Sequence, residues 1–120
     1  MPAYRTIKPE DIVDKGESLL LHVSGADVHI DRDSLSELVD GWKWRYRETA
    51  RDATTVPGGK IQIGHRRYKY RNMTRVICGI ADMKNRVVHV KDGDGTNMRR
   101  SNLLVTTITG IRYNCPDRMQ

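Results

Sequence analysis

An α+β fold is what this chain of 120 residues predicts, and three patterns carry the expectation. Alternating side-chain character over 42–47 and again over 60–70 predicts a basic antiparallel hairpin within a small sheet region. Two short helical signals, at 33–41 and 73–80, interrupt the strand-like pattern. A β-branched run, a turn rich in Gly and Asp, a second strand and a capping threonine then predict a strand–loop–strand–helix unit. The length suits one domain with a modest core. Residues 1–25 form its lead-in, 26–72 its basic strand region and 73–114 its terminal unit.

Each element follows from local chemistry. Pro2, Pro9 and weak periodicity make the first 17 residues an arm. Ser18 to Ile30 is rich in Leu, Val and His in near alternation, broken at Ser24-Gly25, which predicts two short strands joined by a turn. A short helix is expected from Asp33 to Gly41. Ser34 and Glu37 have capping-box spacing, Asp33 is the alternative N-cap, and Gly41 is a natural stop. Leu35, Leu38 and Val39 give it one apolar face. Trp42-Lys43-Trp44-Arg45-Tyr46-Arg47 then alternates strictly, so on a strand the aromatics share one face and the bases the other. The Trp pair reads as core.

After a loop at Thr54 to Gly59, Lys60 to Tyr70 resumes the alternation. Ile61, Ile63 and His65 share one parity, Tyr68 and Tyr70 the other. A hairpin pairing 42–48 with 60–70 follows, bulged near Gly64. Met73 to Ile80 is a short apolar helix, Val87 to Val90 a strand, 91–97 a loop and Asn102 to Val105 a returning strand. A final helix begins near Thr106 or Thr107, where a threonine caps it.

Charge narrows the function classes. Residues 1–40 hold 4 Lys/Arg against 9 Asp/Glu, net −5, whereas residues 41–120 hold 17 against 6, net +11. Ala53 to Ala81 contains Lys60, Arg66, Arg67, Lys69, Arg71 and Arg75 and no acid. Such a segment attracts phosphate through counterion release, so nucleic acid is the expected partner. No apolar run approaches the roughly 20 residues that span a bilayer, and no signal peptide is expected. Cys78 and Cys115 lie far apart without C-x-x-C spacing, which argues against a zinc site or a disulfide framework. A cytoplasmic setting is expected.

The segment Val87-Val88-His89-Val90-Lys91-Asp92-Gly93-Asp94-Gly95-Thr96-Asn97-Met98-Arg99-Arg100-Ser101-Asn102-Leu103 resembles the core of an HNH nuclease. The likeness extends over about 26–114. Val28 to Leu35 through Trp42-Lys43-Trp44 looks like the opening of small phage and homing-type HNH endonucleases, and Met73-Thr74-Arg75-Val76-Ile77 like their Met-His-Arg-Leu-Ile-like segment. The resemblance implies a ββα-metal core over 73–114. It implies that His89 takes a proton from the attacking water and that Asn102 orients the histidine or braces the loop. Double-stranded DNA is the implied partner. Lys43, Arg45 and Arg47 would line one strand of the basic hairpin, Arg66, Arg67, Lys69 and Arg71 the other. Arg75 belongs to the same basic set, and Arg99 and Arg100 would flank the scissile phosphate.

The chain departs from this family at the metal. Val88 stands where an acid is expected, Ile111 where the closing helix offers a ligand, and Asn97-Met98 where Asp-Asn is common. Neither valine nor isoleucine has a lone pair for a hard cation. Asp92, Asp94 and Asn114 are the available substitutes, but the Asp-Gly-Asp-Gly run is first of all turn chemistry. No metal ligands and no cofactor are therefore expected. The expectation is a DNA-binding protein of the HNH type with cleavage lost or weak. The alternatives are an active Mg²⁺- or Mn²⁺-dependent endonuclease using His89 as base, and a phage-type decoy that binds a host protein through acidic residues 10–40.

Overall fold

Period-2 apolar patterns build three small antiparallel sheets around one core. The computed structural model describes residues 4–23, 26–46, 56–107 and 109–114. The first sheet runs β1 (Ile12–Asp14), β2 (Ser18–Val23) and β3 (Ala26–Asp31), in that order. Leu19, Leu21 and Val23 alternate inward on β2 and meet Val28 and Ile30 of β3, with Leu21 opposite Val28 and Leu19 opposite Ile30. The expected turn at Ser24-Gly25 lies outside the described residues.

A 3-10 turn over Arg32–Ser34 leads into α1 (Leu35–Val39), which buries Leu38 and ends where Gly41 turns the chain at φ +80°. The expected capping differs. Neither Ser34 nor Asp33 makes a side-chain cap, because both are turned toward a distant arginine described below.

The second sheet, β4 (Trp42–Arg45), β5 (Gly58–Gly64) and β6 (Arg67–Asn72), is a meander. Trp42 and Trp44 are buried, as their alternation implies. Residues 60–70 do not form one strand. The chain reverses at His65-Arg66, with Arg66 at φ +57°, and the register shifts between Gln62 and Gly64 at the expected bulge. β4 therefore pairs with β5, and β5 with β6. Gly59 lies opposite Trp44, and a Cβ there would meet the indole Cζ3 at 2.3 Å. The glycine is what lets the ring lie flat on the strand.

The lead-in is also part of the fold. Arg5 exchanges both backbone hydrogen bonds with Trp44, at 2.9 and 2.8 Å, on the outer side of β4. Ile7 and Asp11 are buried. The ladder of an edge strand needs backbone groups rather than a side-chain period, so periodicity does not reveal it.

α2 (Met73–Ile77) buries Met73, Thr74, Val76 and Ile77. The third sheet is β7 (Arg86–Val90), β8 (Leu103–Thr107) and β9 (Arg112–Asn114). Here the expected closing helix is corrected: β8 runs to Thr107 and β9 pairs back on it, Tyr113 opposite Val105. The β-branched run of β8 favours a strand. Thr107 does offer its Oγ1 to a backbone N–H, but that of Ile111 at 3.1 Å across a turn, where Gly110 sits at φ +90°. One hydrophobic cluster joins the layers: Leu21 and Ile30 from the first sheet, Trp44 from the second, Leu103 and Val105 from the third, with Met73, Ile77 and Met98. Among the described residues no helix is long and apolar enough to cross a membrane.

Candidate nucleic-acid interface

His89 lies on β7, exposed, opposite Leu104, with its Nε2 3.0 Å from Thr106 Oγ1. Asn102 makes its hydrogen bonds elsewhere. The asparagine is buried and closes the 91–102 loop. Its Nδ2 donates to Asp92 Oδ1 (2.9 Å) and to the Asn97 carbonyl (3.0 Å), while its Oδ1 accepts from the Asp92 amide (3.1 Å). Of the two roles the resemblance implies for Asn102, this geometry is that of a loop brace. Removing the side chain orphans two backbone groups. Asn102→Ala is expected to cost about 2 kcal/mol, read as a lower urea midpoint, and no loss of stability would contradict the brace.

The loop acids are occupied by their own turn. Asp92 accepts from Asn97 Nδ2, from the Asp94 amide and from Asn102, and these donors, Asn97 foremost, hold its carboxyl below the usual carboxylate range. Asp94 Oδ1 accepts from the amide and hydroxyl of Thr96 at 2.9 and 2.7 Å. Among the described residues no three His, Cys, Asp or Glu side chains gather to hold a metal ion. Val88 is half-buried on β7 and Ile111 exposed in the β8–β9 turn, and neither side chain has a lone pair for a cation.

The loop is instead docked onto the first sheet. His29 and the 96–98 segment form a short parallel bridge, in which the His29 amide donates to the Thr96 carbonyl at 2.8 Å and the Met98 amide to the His29 carbonyl at 2.7 Å. Met98 is fully buried. Next to it, the Arg100 amide donates to Asp31 Oδ2 at 2.8 Å, and the guanidinium pairs with Asp33 and reaches Ser34 Oγ at 3.4 Å. The Arg100 side chain is 11% exposed, so this half of the Arg-Arg signature is a strut between sheets. Arg99 is exposed, its Nε 3.3 Å from Asn97 Oδ1.

The basic residues of the hairpin region divide into two sets. Lys69 and Arg71 lie on the Trp side of the second sheet and pair with Asp82, and Arg71 also donates to the Ala81 carbonyl at 2.6 Å. Arg75 donates to the carbonyls of Arg86, Ile80 and Met83, tying down the segment that leads to β7. Lys43, Arg45, Arg66 and Arg67 take no carboxylate partner among the described residues. Arg66 and Arg67 sit at the exposed tip of the β5–β6 hairpin. Arg47 lies outside the described residues, as does Cys115.

Register brings further residues onto the outer face. Cross-strand partners share a face: Lys43 is opposite Lys60, Lys60 opposite Tyr70, and Gln62 opposite Tyr68. Tyr68 and Tyr70 are 42% and 57% exposed. The Lys60 ammonium lies 4.9 Å from the ring centres of both Tyr68 and Tyr4, and the Arg45 guanidinium 4.4 Å from that of Tyr4. Tyr4 and Lys60 were not evident as site residues. Lys60 is brought opposite Tyr70 by the turn at His65-Arg66 together with the one-residue shift between Gln62 and Gly64, and nothing local marks Tyr4.

These features define an α+β protein with one basic-aromatic sheet face and a basic hairpin tip. The chain matches no protein-family model, no curated protein and no solved structure.

Proposed function

We propose that this domain binds double-stranded DNA, as an HNH-type protein whose cleavage activity is lost or weak. The observation that carries the reading is a set of four bases on the second sheet with no carboxylate partner among the described residues, Lys43 and Arg45 on its outer face and Arg66 and Arg67 at its tip. Lys43 and Lys60 face each other across β4 and β5. Like charges so placed repel, and a phosphate backbone relieves that repulsion. The loss of cleavage is supported by the chemistry around His89, whose partner is a threonine, and by the absence among the described residues of three His, Cys, Asp or Glu side chains gathered to hold a metal ion. In this reading a β-hairpin and its loop keep the HNH pattern, and a strand takes the place of the closing helix.

The test is duplex affinity measured across a salt series. Binding is expected to weaken steeply with salt, and Arg66→Ala with Arg67→Ala to flatten the log–log slope by about one unit per lost contact. An unchanged slope in the double variant would count against the hairpin tip. Supercoiled plasmid incubated with Mg²⁺ or Mn²⁺ should stay intact. Nicking that disappears in His89→Ala would establish the enzyme instead.

A further inference from the structure

We infer that the outer face of the β4–β5–β6 sheet is a stacking platform for single-stranded DNA, with Tyr68 and Tyr70 carrying unpaired bases between the cations of Lys43, Arg45 and Lys60. The inference rests on the DNA-binding reading and adds a second ligand form, held on the sheet face that shares Lys43 and Arg45 with that reading.

The composition of this face is unusual. A solvent-facing sheet surface ordinarily carries polar side chains, and large exposed aromatics on it call for a ligand. Here two tyrosines two residues apart on β6 project from one face, and both are exposed. Their separation along the strand is about 6.6 Å, roughly twice the 3.4 Å rise of a stacked nucleotide strand. That spacing suits two bases drawn apart rather than a continuous stack. The bases of a duplex have their faces covered by neighbours, so only an unpaired strand offers faces to such rings.

The cations are placed to match. Lys60 stands between Tyr4 and Tyr68, with its ammonium 4.9 Å from each ring, and it is the cross-strand neighbour of Tyr70. Tyr4 is itself 6.2 Å from Tyr70, so the aromatic patch continues across the sheet onto the segment paired with β4. Asp82, the described acid that pairs with both Lys69 and Arg71, lies on the opposite face, which leaves this one positive. Interleaved aromatics and bases on an open sheet are the chemistry that holds single strands with little sequence choice.

The experiment uses the full chain and two labelled probes, an oligothymidylate of about 12 nucleotides and a duplex of mixed sequence, followed by fluorescence anisotropy. Tyr68→Ala and Tyr70→Ala are each expected to weaken oligothymidylate binding about tenfold while leaving duplex binding within about twofold. Tyr70→Phe keeps the ring and is expected to bind as the parent does. Both rings are exposed, so the variants should melt with the parent. Oligothymidylate affinity that ignores both alanine changes overturns the platform, as does an equal loss on both probes. Tighter binding of an oligouridylate than of the oligothymidylate also overturns the DNA assignment. A chain that holds the duplex through Arg66 and Arg67 but fails these tests loses only this inference. A chain that holds neither probe loses the DNA-binding reading as well.

Discussion

Trp44→Ala is expected to lower the unfolding free energy by about 4 kcal/mol, a large share of the 5–15 kcal/mol typical of a domain. The indole is fully buried and donates from Nε1 to the Leu38 carbonyl at 2.8 Å. It stacks on Trp42 at 5.2 Å with the planes 22° apart, and it lies across Gly59. Truncation opens a cavity bordered by a backbone glycine that has no side chain to fill it, so little collapse is available. It also orphans the Leu38 carbonyl in the last turn of α1. Urea unfolding followed by circular dichroism should show a lower midpoint with an unchanged slope. A loss below about 1 kcal/mol would mean that the ring is not the centre of this core.

Met98→Ala is expected to cost about 3 kcal/mol, with Met98→Leu costing under about 1.5 because volume is nearly kept. Met98 lies in an otherwise polar loop, yet it is fully buried and its amide bonds to His29. Its side chain is the apolar contact by which the 91–102 loop enters the common core. The loss should therefore be local as well as global. Hydrogen exchange at the amides of His29 and Met98 should accelerate more than at β2, since the bridge opens before the first sheet does. Equal acceleration everywhere would show that the loop has no separate opening.

Much of the fold was legible because a half-buried strand writes its period into the sequence. The hairpin of β2 and β3, the Trp strand, the short helix stopped by Gly41 and the bulge near Gly64 all follow from local pattern. The reversal at His65-Arg66 was not legible, since a tight turn with a positive φ at arginine interrupts neither the charge nor the alternation. The closing helix failed for a related reason. A threonine oxygen accepting a backbone N–H serves a cap and a turn equally well, and the β-branched run before it decided for a strand.

The candidate site was legible in composition but not in allocation. That the basic stretch includes a hairpin could be read; which bases stay open could not. Arg100 and Asp33 are 67 residues apart in the chain, and Arg71 finds Asp82 only after α2 has turned the backbone. Such partners are set by packing, and no local spacing announces them. Met98 is similar: within a turn-rich loop it looked like a departure from a nuclease pattern, whereas its burial makes it an anchor.

Trp44 pressed against Gly59 has a consequence for the other side of the same sheet. A strand has one backbone and two faces, so fixing the inner side chains also fixes where the outer ones start. Lys43, Lys60, Tyr68 and Tyr70 inherit their mutual spacing from the core beneath them, not from whatever settles on top. The surface is thus preorganised, and a ligand need not supply the free energy of assembling it.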